Sequence, residues 1–430
     1  MNNGTSHIST GALCSDVFPS SSAGGVSLDS IYFYLTVFCF GLFAQIFLGF
    51  YLSDVLVLLY IGKCLLTGRL RHTKRFLSFV TMAAVLLFFP AIFSLMVQIL
   101  FLDAPISNYS FYIPYNFLLG SLYIVFMFQI VEKINIYPSM LLAIFAIPVV
   151  WSFAAYLYPP LQVPLEHLYH IDYMYRQTDP FTVRFGGIFG FDVNQLGYYS
   201  TLVIILALFF NFRYRISKII FYSVLLMSLY CSLISGMRLG LYLLVPLIFV
   251  LFFVGKVKVL SNFDILFLFF SGLIPILLMD TSDVLISIIN RFGVEMFLND
   301  LLSGDAHVSG MYVKWFKIMI VQNNDILSLL FACYPEWKHP DSFIIFLLGN
   351  GGIIGLFCLF IFYFLLGFKI LFQNCPKKYK WFLFAILVFN FGTGLKGNYP
   401  LNNGGMFIFS FIVTALLLKK EGLRQLRDKF

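Results

Sequence analysis

Apolar runs recur along the chain from Ile31 to Leu418, and each, at about 20 residues, is long enough as a helix to cross a hydrocarbon core of ~30 Å. In lipid every backbone N–H and C=O must be satisfied within the protein, so runs of this kind are confined to helices. Only 11% of the 430 residues are charged and 60% are hydrophobic, against roughly a quarter charged in a soluble domain. A soluble enzyme is thereby excluded. The expectation is an all-α, polytopic integral membrane protein whose single transmembrane domain takes in residues 1–430.

The runs centre on residues 31–48, 52–66, 76–102, 111–131, 139–158, 195–212, 216–234, 239–254, 263–279, 343–372, 381–395 and 405–418, which gives about twelve spans. Lys and Arg are enriched in cytoplasmic loops. Alternate loops hold Lys63 to Arg75, Lys133, Arg213 to Lys218, Lys256 and Lys258, Lys369 to Lys380, and the tail from Lys419 to Lys429, together 20 of the 28 basic residues. This places the C-terminus in the cytoplasm. The net charge of +8 therefore reads as a topology signal and not as a nucleic-acid surface. At the other end two arrangements stand. The second run is short and interrupted by Gly62 and Lys63, so an eleven-span protein with its N-terminus outside competes with the twelve-span one. No cleaved leader is expected, because residues 1–30 have no Lys or Arg and the first apolar run starts late.

Two loops on the outer side are long, residues 159–194 and residues 280–342. Where all other loops are minimal, such lengths usually carry function. In the second, Met311, Trp315, Ile318 and Met319 share one helical face and Lys314 and Lys317 lie towards another. The segment reads either as an interfacial cap or as a helix that holds a lipid-linked substrate.

Nucleotide and metal signatures are missing from the sequence: there is no P-loop, no HExxH, no GxGxxG opening a helix, and no DxD in an outer loop. His167 and His170 stand at a ligating spacing but without a third ligand nearby, which reads as interfacial histidines. The seven cysteines are scattered, mostly inside apolar runs, and read as packing residues. Neither a metal nor another cofactor is expected.

The outer arginines carry more information. Arg184 stands in TVRFGGIFGFDVNQLG, Arg238 in LISGMRLGLY and Arg291 in NRFG, each an exception to the positive-inside pattern. A guanidinium near a bilayer is costly unless paired, and its planar donors match phosphate oxygens two at a time. Together the three suggest an outward-facing anion site, while Asp179, Asp192, Asp283 and Glu295 offer each a structural ion pair instead. Gly186, Gly187 and Gly190 suit close backbone approach to a ligand or simply a turn. Lys338-His339-Pro340-Asp341-Ser342 precedes a late span, and His339 or Asp341 could take the proton of an attacking sugar hydroxyl. Asp341-Ser342 also makes an ordinary helix N-cap, and the two roles are compatible.

These residues resemble the bacterial O-antigen polymerase and ligase superfamily, the Wzy-like polymerases and the lipid A core ligases. The resemblance lies in RFGGIFGFDVNQLG, with Arg184, Gly187 and Asn194; in LISGMRLGLYLLVP, with Arg238; and in HPDSFIIFLLGNGGIIG. Two long periplasmic loops, about twelve spans and a Phe-rich chain also fit. The resemblance implies a metal-independent glycosyltransferase at the periplasmic face of the bacterial inner membrane, acting on undecaprenyl-diphosphate-linked oligosaccharides. It implies that Arg184, Arg238 and Arg291 hold the diphosphate, supported by Gly187 and Asn194, and that His339 or Asp341 is the base. Relatives often have an Arg shortly before the Trp of SGMYVKWFKI; here Lys314 takes that place. A chain-length regulator and a flippase of the same pathway are the implied protein partners.

Within the superfamily, ligases open the late-span motif with a His. Aligning GGIIG puts Asp341 rather than His339 at that position, which favours a polymerase, although a shift of two residues restores the His. The remaining alternative, a lipid-linked oligosaccharide flippase or other transporter, calls for ionisable residues in mid-span and matching broken helices in two halves. Charges here cluster at the ends of the runs.

Overall fold

The computed structural model describes residues 27–42, 45–47, 50–68, 81–101, 108–131, 133–134, 137–162, 193–214, 216–235, 326–331, 343–372, 377–394 and 410. Among these, ten helices follow one another: α1 (Leu28–Leu42), α2 (Leu52–Leu66), α3 (Phe89–Phe101), α4 (Asn108–Val131), α5 (Pro138–Leu157), α6 (Val193–Tyr214), α7 (Lys218–Ile234), α8 (Ile326–Phe331), α9 (Phe343–Leu371) and α10 (Lys377–Thr393). Apart from Gln45–Phe47, helices thus occupy the apolar runs wherever residues are described; the runs at 239–254 and 263–279, and all of 405–418 except Ser410, lie outside the described residues. Thr81–Leu100, Ser139–Leu157 and Gly351–Leu371 are long and apolar enough to cross a membrane.

The first run departs from expectation. Its helix stops at Leu42, and the chain forms a short antiparallel ribbon, β1 (Gln45–Phe47) paired with β2 (Phe50–Tyr51), before α2 begins. The second run departs too, since α2 continues unbroken through Gly62 and Lys63. It ends at Gly68, whose φ of 62° and N–H bond to the Leu65 carbonyl (3.1 Å) close the last turn in a conformation that costs glycine little. At 15 residues each, α1 and α2 are about 22 Å long and do not by themselves match a full hydrocarbon core.

Their pairing is fixed by side chains. Lys63 Nζ meets Asp29 Oδ1 at 3.3 Å and sits over the rings of Tyr32 and Tyr60, so the start of α1 lies beside the end of α2. Lys133, just past α4, also lies over Tyr60, 5.7 Å from the ring centre, and its ammonium reaches the Tyr60 hydroxyl at 3.5 Å. A phenol ring between two ammonium groups is a cation–π arrangement. α5 joins the same group where its preceding residue, Tyr137, donates its N–H to the Tyr34 hydroxyl (2.8 Å).

A π turn over Ala84–Phe88 leads into α3. Pro90 follows it, and a proline has no N–H to return to the carbonyl one turn back, so a widened turn is the local accommodation. The core that these helices enclose is aromatic: Phe33, Phe40, Tyr60, Phe126, Phe128, Tyr123, Tyr199, Phe210 and Phe221 are its largest fully buried side chains.

Outward faces are apolar as well. On α9, Phe357, Phe360, Phe364, Phe368 and Phe372 are exposed at helical spacing, and on α3 Phe89, Phe93, Met96 and Leu100 do the same. Apolar stripes on helices with an aromatic interior are what a lipid-facing surface requires. Phe364→Lys, near the centre of the long apolar part of α9, should therefore cost about 3 kcal/mol of insertion free energy. The expected result is a strong drop in the amount of protein in the membrane fraction, with Phe364→Leu at the unsubstituted level; equal abundance of the two variants would remove this face from lipid.

Candidate functional site

The described helices meet at an end that matters for the expected chemistry. α6 and α7 form an antiparallel hairpin, with Thr201 Oγ1 3.3 Å from Ser232 Oγ near the start of one and the finish of the other. α10 runs antiparallel to α6: Tyr198 donates its hydroxyl to Asn390 Oδ1 at 3.0 Å, and at the opposite end Phe209 packs on Phe382. α9 runs antiparallel to α10 in turn, with Tyr363 against Phe391 and Asn390 Nδ2 donating to the Tyr363 hydroxyl at 3.5 Å. The start of α6, the finish of α7 and the finish of α10 thus share one end, with Tyr363 of α9 beside the finish of α10. The other end of these four helices carries Lys218, Lys369, Lys377, Lys378 and Lys380.

Two expected site segments adjoin that first end in sequence. The stretch with Arg184 and Gly187 runs directly into α6 and the stretch with Arg238 follows α7 directly, whereas Lys338 to Ser342 run into α9 at Phe343, on the other side of the break in α9 at Gly352 from Tyr363. Asn194 is itself in the first turn of α6. Arg184, Gly187, Arg238, Arg291, Lys314, His339 and Asp341 lie outside the described residues, and so do all six histidines. What is brought together is therefore a set of helix ends next to which two of the three arginine segments stand in sequence.

Beneath this end lies a layer of buried polar groups that the sequence reading passed over. Ser200, Thr201, Ser232, Ser235, Asn390 and Thr393 are all buried. Several return bonds to their own helices: Thr201 to the Gly197 carbonyl (2.8 Å), Ser235 to that of Ser232 (2.9 Å) and Thr393 to that of Asn390 (2.7 Å). Ser200 Oγ, Ser228 Oγ and Trp151 Nε1 are buried with no hydrogen-bond partner among the described residues. The signal was present in YYSTL and SLYCSLIS, where hydroxyls interrupt otherwise apolar runs. Hydroxyls of this kind join helices in an apolar solvent, where hydrophobic contact between helices gains nothing over contact with lipid.

A second cluster was also missed. Asp54, three residues into α2, is fully buried together with Ser53. Its Oδ2 accepts the Tyr51 N–H at 2.9 Å, which caps the helix start, and its Oδ1 accepts the Tyr123 hydroxyl at 2.7 Å, with Ser53 Oγ 2.8 Å from that same hydroxyl. In the sequence Asp54 stands at the edge of an apolar run. In the fold that edge meets the interior of α4, because α2 is short.

Among the described residues no three His, Cys, Asp or Glu side chains are grouped to hold a metal ion. No protein-family model and no curated protein matches this chain.

Tyr123→Phe removes a phenol donor from a buried carboxylate, so a loss of about 1–2 kcal/mol is expected. Thermal unfolding in detergent should show it as a lowered midpoint, and a double-mutant cycle with Asp54→Asn should recover a coupling of similar size. Strict additivity would mean that the two groups do not act as a pair.

Proposed function

We propose that this chain is an O-antigen polymerase of the Wzy-like kind, an inner-membrane enzyme of about twelve spans with its two long loops in the periplasm and its C-terminus in the cytoplasm. The donor is a glycan on undecaprenyl diphosphate, and the acceptor is a sugar hydroxyl of another carrier-linked repeat unit. The acceptor oxygen bonds to the anomeric carbon as that carbon's bond to the diphosphate oxygen breaks; undecaprenyl diphosphate leaves, and the hydroxyl proton passes to Asp341 or His339. Arg184, Arg238 and Arg291 bind the diphosphate and stabilise the charge that develops on it. Lys314 offers a further cation, and Gly187 and Asn194 shape the approach. The flippase and chain-length regulator of the pathway are the expected protein partners.

The observation that carries this reading is the triad of outer arginines, two of which depart from helix ends that lie together at the end opposite Lys218, Lys369 and Lys377 to Lys380. An enzyme that serves one membrane face needs such an end.

The test is a gel profile of surface lipopolysaccharide from a strain lacking the gene, complemented with the unsubstituted chain or with variants. Loss of the gene should leave core bearing one repeat unit, and complementation should restore the ladder. Arg184→Ala and Arg291→Ala, each at normal membrane abundance, should fail to restore it. Full ladders from both would displace the diphosphate site. Core with no repeat at all would instead indicate the ligase or the flippase.

Asp54 favours a second reading, since a carboxylate within a helical bundle is where transporters place coupling groups. Its bonds to the Tyr51 N–H and Tyr123 are those of a helix cap, however, and the polymerase reading stands ahead. Asp54→Asn should accordingly keep a ladder of normal length. Core without any repeat unit in that variant would favour transport.

A further inference from the structure

Two lysines converge on one phenol at an end of the bundle that the transfer reading leaves unused. α1 starts at this end, and α2 and α4 finish there: Asp29 pairs with Lys63, Tyr32 packs on Tyr60 with ring centres 5.7 Å apart, and Tyr60 packs on Phe126 of α4 at 5.3 Å. Lys63 Nζ lies 5.5 Å from the centre of the Tyr60 ring and Lys133 Nζ lies 5.7 Å from it. Their charges are not matched. Asp29 pairs with Lys63, whereas Lys133 meets the ring and hydroxyl of Tyr60 and no carboxylate among the described residues. A neutral ring attracts an ammonium without cancelling its charge. Nor does Asp29 take Lys63 out of reach, because their side chains are 26% and 42% exposed and solvent-facing pairs of this kind are weak.

Apolar surface adjoins these cations. On α2, Leu59 and Leu66 are exposed one turn before and one turn after Lys63, on the same helical face. On α1, Leu28, Ile31 and Leu35 form an exposed stripe that starts in the turn of Asp29. Ammonium groups and tyrosines at helix ends, with exposed apolar side chains beside them, match the layering of a membrane interface. A single lysine there anchors one helix. Two that approach one ring from separate helices form a pocket of net positive charge.

We propose that this pocket binds the phosphate of an anionic phospholipid, with Lys63 and Lys133 meeting its oxygens and its acyl chains lying along Leu28, Ile31 and Leu35. The charge selects an anionic lipid over a zwitterionic one. The apolar stripe selects a lipid over a free phosphate, which has nothing to place there. The site is independent of glycan transfer.

The experiment measures lipid binding to the purified full chain in a neutral detergent by native mass spectrometry, with phosphatidylglycerol and phosphatidylcholine of the same acyl chains as probes. Phosphatidylglycerol should bind about tenfold or more tightly than phosphatidylcholine. Lys63→Gln and Lys133→Gln should each weaken its binding about fivefold, the scale of one lysine near an anionic headgroup, and Lys133→Arg should retain it. Asp29→Asn should tighten binding by about twofold or more, because the carboxylate that competes for Lys63 is gone. A gain of this kind cannot come from a misfolded chain. Lys377→Gln with Lys378→Gln, which removes two charges from the first turn of α10, should change binding by less than about twofold.

Equal binding of the two lipids would overturn the proposal. A loss in the α10 variant as large as that in Lys133→Gln would do the same, since the attraction would then be one of overall charge. Weaker binding in Asp29→Asn, as in Lys63→Gln, would reduce the cluster to a tie between helices and overturn the pocket. Displacement of bound phosphatidylglycerol by an equal concentration of glycerol 3-phosphate would replace the lipid with a soluble phosphate and overturn its choice as the ligand.

Discussion

Every peptide group of a chain in hydrocarbon must find its partner inside the protein, and that requirement orders the described structure. Helices meet it residue by residue, which is why an aromatic and aliphatic chain with so few charges still has a defined backbone. The departures from helix are the informative places. At Gly68 and at the ribbon between α1 and α2 the chain turns with its own bonds. At Gly352 the neighbouring backbone of α8 fills the break. A break in a lipid-exposed helix would leave unpaired groups in lipid; one covered by protein is tolerable.

Once backbone bonding is met locally, apolar packing alone does little to choose one arrangement of helices over another, since lipid tails are as apolar as the side chains. The buried polar ties do that choosing. Tyr123 with Asp54 aligns α2 on α4, Tyr198 with Asn390 aligns α6 on α10, Thr201 with Ser232 aligns α6 on α7, and Tyr199 bonds the Phe145 carbonyl to hold α6 to α5. Each tie is specific because its alternative is an unsatisfied polar group away from water. Lys63 and Lys133 around Tyr60 do the same work where charge can be tolerated.

Helices were legible from apolar run length: α4, α5, α6 and α7 begin and end within a few residues of the runs. Short-range features were less so. Gly62 and Lys63 looked like a break, yet α2 passes through both because a lysine in the last turn of a helix faces the negative end of the dipole and here also finds Asp29. Conversely the run at 343–372 looked continuous, and only a positive φ at Gly352 betrays two helices. Periodicity reports which residues are apolar, not which glycine is bent. The expected arginines, chosen as exceptions to the charge asymmetry, lie outside the described residues; what the fold adds is the pairing of the helix ends next to Arg184 and Arg238 in sequence, which no single run encodes. Asp54 was overlooked for the same reason: its burial comes from the partner helix α4.

The two polar clusters differ in what they can do. Asp54 is buried and bonds both a helix-cap N–H and a phenol, which together favour one fixed geometry over two. Transport needs a group that changes partners between states. The hydroxyl layer under the ends of α6, α7 and α10 carries no charge, yet includes Ser200, which has no hydrogen-bond partner among the described residues. Such a layer builds a rigid floor. The proposed transferase would use that division, a floor fixed by neutral bonds next to the helix ends from which the segments with the expected arginines continue in sequence. Arg184 precedes α6 and Arg238 follows α7 in sequence, and the antiparallel pairing of those two helices sets the start of one and the finish of the other at one end of the hairpin.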